Sequence, residues 1–243
     1  MKAKKQHASK TFLILIVSLF ILIGTLTSVT AIADDATEAA QLVQKARLTL
    51  QNFMSSPDMK AFRNLMKSAR GVFISPQVLK GAFLVGASGG SGVFLAFDSK
   101  TGQWSDPAFY TMGEVSFGLQ AGGKASEVVL LAMTDRGVKA FLANSFKLGV
   151  DAGIAAGPVG IGAEAATANL SADIVSYARS KGLFAGISLE GAVIATRNGW
   201  NQAYYGKPTT PTDILIIHNV SNPTSVDLIN AVREASLGKP ATK

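Results

Sequence analysis

Apolar positions change their period twice along the chain. Phe12 to Ile23 is one apolar run, interrupted only by Ser18. Between Ala36 and Arg70 the apolar residues return at helical intervals. Beyond Gly71 they come in short runs divided by Gly, Pro, Asp and Ser. The second stretch predicts two helices. Ala36 to Met54 is rich in Ala, Leu and Gln, with Ala40, Val43, Leu48 and Leu50 as apolar positions. Ser55-Ser56-Pro57 breaks it, and Ser56 can cap a second helix that has Pro57 at its first position. In that helix Met59, Phe62, Leu65, Met66 and Ala69 repeat at i, i+3, i+6, i+7 and i+10. Lys60, Arg63, Lys67 and Arg70 repeat at i, i+3, i+7 and i+10. At about 100° per residue these sets form two adjoining stripes.

The remainder reads as a glycine-rich mixture of strands and helices. Gly71 to Ile74 and Gly81 to Val85 predict short strands around a Ser75-Pro76 turn. Further strands are expected over Val93–Phe97, Val115–Ala121 and Val128–Met133, with a turn at Asp98–Gly102. Asp135–Phe146 has helical spacing, with Val138, Phe141 and Leu142 on one face. Leu148–Ile161 is small and apolar, as strands with closely approaching backbones would be. Ile174–Ala178 and Leu183–Thr196 predict strands on either side of Lys181-Gly182. Thr210–Asp213 reads as a helix start and Val226–Ala235 as a terminal helix. Glycine inside strands marks bulges and close contacts, so an α+β fold is expected, its antiparallel sheet tightly curved or closed into a small β-barrel.

The N-terminal run changes the charge account. Lys2, Lys4, Lys5 and Lys10 precede it without an acid, and Ala31-Ile32-Ala33 follows it. A basic region, an apolar core and small residues at a cut site are the parts of a signal peptide, with cleavage expected after Ala33. An uncleaved anchor is the rival, since residues 11–33 carry no charge and could span a bilayer. On the first reading residues 1–33 are a leader. Residues 34–243 then form one domain, a helical segment over 36–70 and a body over 71–243. The net charge of +7 falls to +3 with the four leader lysines. What remains is concentrated: residues 40–70 hold six basic residues against Asp58 alone. Attraction to an anionic partner is therefore expected there. A basic stripe beside an apolar one suits a helix lying in a lipid headgroup layer. It equally suits a surface helix packing its apolar face on its own domain.

Candidate chemistry is sparse. There is no Cys, and the mature chain keeps a single histidine, His218. That excludes thiolate metal sites, a Cys nucleophile and H-E-x-x-H. Gly86-Ala87-Ser88-Gly89-Gly90 matches G-x-S-x-G, with Asp213 and His218 following in hydrolase order. The elbow needs a helix after the serine, yet Val93-Phe94-Leu95 reads as a strand. Gly160-Ile161-Gly162-Ala163-Glu164-Ala165 matches G-x-G-x-x-A but lacks the surrounding strand–helix–strand unit. No cofactor, no metal and no enzymatic activity are expected. Nucleic acid is not an expected partner either, because the mature charge is small and no aromatics interleave the basic stripe. Trp104 and Trp200 with Tyr204-Tyr205 are candidates for an aromatic surface, although packing is the commoner role of such residues.

Five segments, in order, resemble the SYLF-domain family of lipid-binding proteins. They are Ala69–Pro76, Lys80–Gly86, Trp104–Phe109, Ser180–Gly191, and Asn201 with Tyr204-Tyr205-Gly206. The resemblance runs from about Ala40 to the C-terminal helix. It implies a non-enzymatic module that binds phospholipid or phosphoinositide-like anionic lipid through its basic N-terminal helix. Carried onto this chain, that helix offers Lys60, Phe62, Arg63, Met66, Lys67 and Arg70, the bases by charge and Phe62 and Met66 by insertion. It also implies a barrel-like body with an inserted α/β portion. Bacterial relatives are similar exported proteins, whereas eukaryotic ones often add an SH3 domain and bind actin regulators. The expected setting is thus peripheral association with the membrane of a bacterial periplasm or cell envelope. The alternative is an envelope assembly module whose helix docks an unidentified protein.

Overall fold

The computed structural model describes residues 34–82, 85–117, 122–160, 163 and 171–238. The expected leader lies outside the described residues, as does most of the G-x-G-x-x-A match. Helix α1 spans 34–55. Ala39, Val43, Ala46, Leu50 and Phe53 form its buried stripe. A single 3-10 turn, Pro57–Met59, leads into α2, Lys60–Met66. Ser56 has the extended backbone of a cap, but its side chain makes no capping bond. The second helix is therefore shorter than its periodicity suggested.

Among the described residues ten strands follow: β1 Gly71–Ala82, β2 Val85–Asp98, β3 Gln103–Trp104, β4 Ala108–Phe117, β5 Gly122–Ala132, β6 Ser145–Lys147, β7 Ile154–Ala156, β8 Ile174–Ser180, β9 Leu183–Gly186 and β10 Val193–Thr196. Helix α3, Asp135–Ala140, precedes β6, and α4, Asn198–Tyr205, follows β10. A π-helical turn, Asp213–Ile217, a 3-10 turn, Pro223–Ser225, and α5, Val226–Ser236, follow. The strands run in the order β6-β10-β4-β2-β1-β5-β8-β7, with β3 on β2 and β9 on β8. Among the described residues the strand pairings are antiparallel except β7 with β8, so the sheet is mixed. It curls into a half-barrel rather than a closed barrel. Strands β4 and β5 are separated by residues 118–121 only, yet β2 and β1 lie between them in the sheet. Laid flat, the two would stand about 14 Å apart, and curling shortens that span.

The Ser75-Pro76 turn is not a turn. Strand β1 continues through it as a β-bulge, with an irregular register between Ile74 and Gln77 against β2. Pro76 has no N–H to give a ladder, and a bulge tolerates that. Gly90 on β2 crosses the bulge so closely that a Cβ would collide with the Gln77 carbonyl oxygen. The expected helix over 135–146 ends at Ala140, because Phe141 and Phe146 both turn into the concave core. Among the described residues of 148–161 only β7 is strand.

Residues alternate between two cores. The outer face presents Val72, Ile74, Val93, Leu95, Phe109, Val129, Leu131, Val175 and Tyr177 to α1, α2, α4 and α5. The inner, concave face carries Phe73, Phe94, Tyr110, Leu130, Ile174 and Ile194, packed with Phe141, Phe146 and Ile214. Phe94 stacks on Phe141 at 3.7 Å between centroids, and Tyr110 donates its hydroxyl to the Phe141 carbonyl. Burial pushes the Tyr110 hydroxyl well above its ordinary pKa. These aromatics fill one end of the trough.

Candidate functional site

Helix α2 turns its apolar stripe inward. Phe62 and Met66 are 0% exposed, so the expectation that they insert into lipid is corrected in this conformation. Phe62 packs against Phe53 of α1 and edge-on against Tyr177 of β8, at 5.5 and 5.2 Å between centroids. The same 3.6-residue period serves a membrane face and a core face, and here the core takes it. The bases separate by role. Arg63 donates to the carbonyl oxygens of Met54 and Ser56, closing the end of α1, where helix carbonyls lack partners. Arg70 pairs with Asp135 at the start of α3. Lys60 and Lys67 are exposed, and Lys67 reaches Asn64 Oδ1 at 3.4 Å. Seven residues apart, the two share one side of α2, about 10 Å apart along its axis.

Glu127 on β5 fastens α1 to the sheet. It accepts from Thr49 and Asn52 and pairs with Arg179 of β8 at 3.0 Å. A cleft of about 520 Å³ lies along this seam, with Lys45, Leu48 and Lys181 on its walls.

The hydrolase-like set is dispersed. Ser88 lies inside β2, where its Oγ donates to Glu114 Oε2 of β4 at 3.4 Å. Asp213 accepts from the N–H and hydroxyl of Thr210, which hold its carboxyl below the usual range. His218 ends the π-helical turn near Asp98, whose carboxyl is held below its usual range chiefly by the Lys100 N–H and the Thr101 hydroxyl and least by His218. Asp98 is ten residues along β2 from Ser88, about 33 Å of extended strand. Among the described residues no group of His, Cys, Asp or Glu could hold a metal ion, and no helix is long and apolar enough to cross a membrane.

The aromatic candidates serve packing. Trp104 Nε1 donates to Ser236 of α5, and Trp200 Nε1 to Asp35 at the start of α1. Arg197 lies 3.5 Å over the Trp200 ring. Asn201 is buried, and its Oδ1 accepts from the Phe109 N–H. Tyr204 meets Thr224, and burial pushes its hydroxyl up to about 12. Gly206, at φ 70°, ends α4 in the left-handed region.

Sequence reasoning missed a second concavity. A cleft of about 820 Å³ opens on the concave face where β1, β2, β4, β5 and β8 extend beyond the aromatic core. Val78, Met112, Val128 and Ala178 line its depth, and Lys80, Glu114, Lys124 and Lys181 its mouth. The chain from Leu183 to Ala192 closes one side. Lys181 and Gly182 form the β8–β9 turn with φ of 50° and 80°, the type I′ pattern. The usable signal was a period of two: Val78 then Lys80, Met112 then Glu114, Lys124 then Ser126 then Val128.

The sequence model of the Ysc84 family, described as "Las17-binding protein actin regulator", matches residues 113–235, about half of the chain. The chain belongs to the Ysc84/SYLF family. That match runs from the outer part of β4 through the cleft-closing segment to α5. Among Ysc84/SYLF relatives, "SH3 domain-containing YSC84-like protein 1" of Bos taurus is 34% identical over 185 residues, 75% of this chain and 53% of the relative. The Homo sapiens protein of the same name is 33% identical over 185 residues, with the same coverage. "LAS seventeen-binding protein 3" of Saccharomyces cerevisiae is 34% identical over 176 residues, 71% of this chain and 38% of the relative. The chain thus spans about half or less of these relatives' lengths.

Proposed function

We propose that this Ysc84/SYLF chain is a non-catalytic module that binds anionic phospholipid surfaces, acting as an exported, peripheral protein of a bacterial cell envelope. The observation that carries the reading is the division of α2: its apolar stripe is consumed by the core, while Lys60 and Lys67 stand together on the outside. Contact made this way is electrostatic and needs no insertion. Each base near an anionic surface contributes about 1 kcal/mol, so the two lysines supply about 2 kcal/mol, or roughly thirtyfold in affinity. Arg63 adds little to this attraction because it caps α1.

The test is co-sedimentation with vesicles of phosphatidylcholine containing one quarter phosphatidylglycerol, against phosphatidylcholine alone. Wild type is expected on the anionic vesicles only, with retention falling as salt rises. Lys60→Glu with Lys67→Glu should abolish retention while leaving the circular dichroism unchanged. Equal retention of that variant and wild type would overturn the reading. A second reading, docking of a protein partner on the same face, is favoured by the family's description as a Las17-binding actin regulator and by the yeast relative's name, LAS seventeen-binding protein 3. Failure of wild type to bind anionic vesicles, together with one stoichiometric protein partner lost in the same variant, would support it.

A further inference from the structure

The cleft of the half-barrel has the composition of a ligand site, and its charges are arranged across the strands in a single row. Lys80 of β1 is the direct cross-strand partner of Lys124 on β5. On its other side Lys80 is level with Ser88 of β2, and Ser88 with Glu114 of β4. All four line the cleft, so their side chains share the concave face. Directly opposed residues have Cβ atoms about 5 Å apart, and like charges there repel. Among the described residues neither lysine is ion-paired with an acid. Glu114 is engaged by the Ser88 hydroxyl, two strands from Lys80. Lys181, at the β8–β9 turn, adds a third cation to the mouth.

One row deeper the chemistry becomes apolar. Val78 is level with Gly90 and Ser126, and Gly90 with Met112. Val128, paired with Ala178, follows, and the Phe73, Phe94, Tyr110 and Phe141 cluster lies beyond. From the Lys124 row to the Val128 row is about 13 Å along β5. The volume, about 820 Å³, falls within the range of small-molecule sites, which also favour the mouths of curled sheets. A polar ligand would strand itself against aliphatic walls, and a neutral apolar one would leave the lysines facing each other. The occupant that satisfies both ends has one aliphatic chain and an anionic head.

We infer that the half-barrel cleft binds a single-chain anionic amphiphile, its acyl chain against Val78, Met112 and Val128 and its carboxylate or phosphate between Lys80 and Lys124. This site is separate from the outer face of α2 and does not rest on the membrane-binding reading. It gives the opposed lysines a shared counter-ion, which no acid among the described residues supplies.

The experiment is fluorescence titration of the protein with dansylaminoundecanoate, followed by competition with dodecyl probes below their micelle concentrations. Dodecanoate and dodecyl phosphate should both displace the dye; dodecyltrimethylammonium, inorganic phosphate and acetate should not. A preference between the first two identifies the head as carboxylate or phosphate. Lys80→Gln with Lys124→Gln should weaken dodecanoate by about tenfold or more, since a hydrogen bond to a charged group is lost at each position. Lys60→Glu with Lys67→Glu should leave dodecanoate binding unchanged, so the two sites fail or stand independently. Absence of dye binding to wild type, displacement by the cationic chain as readily as by dodecanoate, or an unweakened Lys80/Lys124 variant would each overturn the inference. Side-chain methyl resonances of Val78, Met112 and Val128 should shift on titration; shifts confined to α2 would also overturn it.

Discussion

Replacing Phe62 by Ala separates the two destinations that an amphipathic helix can have. The ring is fully buried and meets Phe53 and Tyr177 edge to face or tilted. Phe53 in turn meets Phe184 on β9, so the Phe62 ring is part of a seam joining α1, α2, β8 and β9. Truncating a buried Phe costs about 3–5 kcal/mol, the transfer loss plus the cavity left behind. Lost edge-to-face contacts account for about 0.5–1.5 kcal/mol each of that kind of cost. The site is rimmed by a helix and a sheet that cannot both close on the gap, so a value near 4 kcal/mol is expected. With a urea slope of about 2 kcal/mol/M, the midpoint should move down by about 2 M. Equilibrium urea unfolding followed by Trp fluorescence measures it, because Trp104 and Trp200 are both buried in the same core. At a urea concentration where the variant is still folded, vesicle retention should match wild type. A midpoint within about 0.3 M of wild type, with retention lost, would refute the packing argument and return the ring to the membrane.

Two further outcomes follow from polar contacts inside the fold. Asn201→Ala removes the acceptor of the buried Phe109 N–H and should cost about 1–3 kcal/mol, read as a lowered melting temperature with the sheet signal retained. Asp173 accepts from the Thr134 hydroxyl and the Gly153 N–H and faces Arg136, which together hold its carboxyl below the ordinary value. A depressed folded pKa gives stability that is complete above about pH 4 and lost as pH falls through the folded value. Asp173→Asn should therefore lower the melting temperature near neutrality and reduce its acid-side fall, as a series of melts from about pH 7 to pH 2 would show.

Local chemistry made some elements legible. Ser55-Ser56-Pro57 marked the break between α1 and α2, and Asp98–Gly102 the turn whose Asp98 carboxylate accepts from Lys100 and Thr101. Lys181-Gly182 marked the β8–β9 hairpin, and the terminal helix fell within a residue of α5. Glycine inside strands predicted a curved sheet. What stayed hidden was decided by distant partners. Pro76 reads as a turn until β2 and β5 are seen to hold β1 straight through it. Phe141 reads as helical until the stacked Phe94 draws it out of register with α3. The basic stripe was visible as a charge pattern, but sequence could not say that Arg63 faces the end of α1. The alternation along each strand was visible, but the cleft those strands build together was not, for the same reason. Lys80 and Lys124 are far apart in the chain, and only the β1–β5 register sets one against the other.

The order of the strands also governs how this protein meets other copies of itself. Its long, apolar strands, β1, β2, β4 and β5, all lie inside the sheet. Among the described residues one rim is β6, three residues long, and the other is shared by β7 and β9, of three and four. An unpaired strand edge recruits other chains in proportion to its length and flatness. A half-barrel leaves two such edges that a closed barrel would not. Here each is too short to seed a ladder, so the opening that gives access to the trough does not become a template for aggregation.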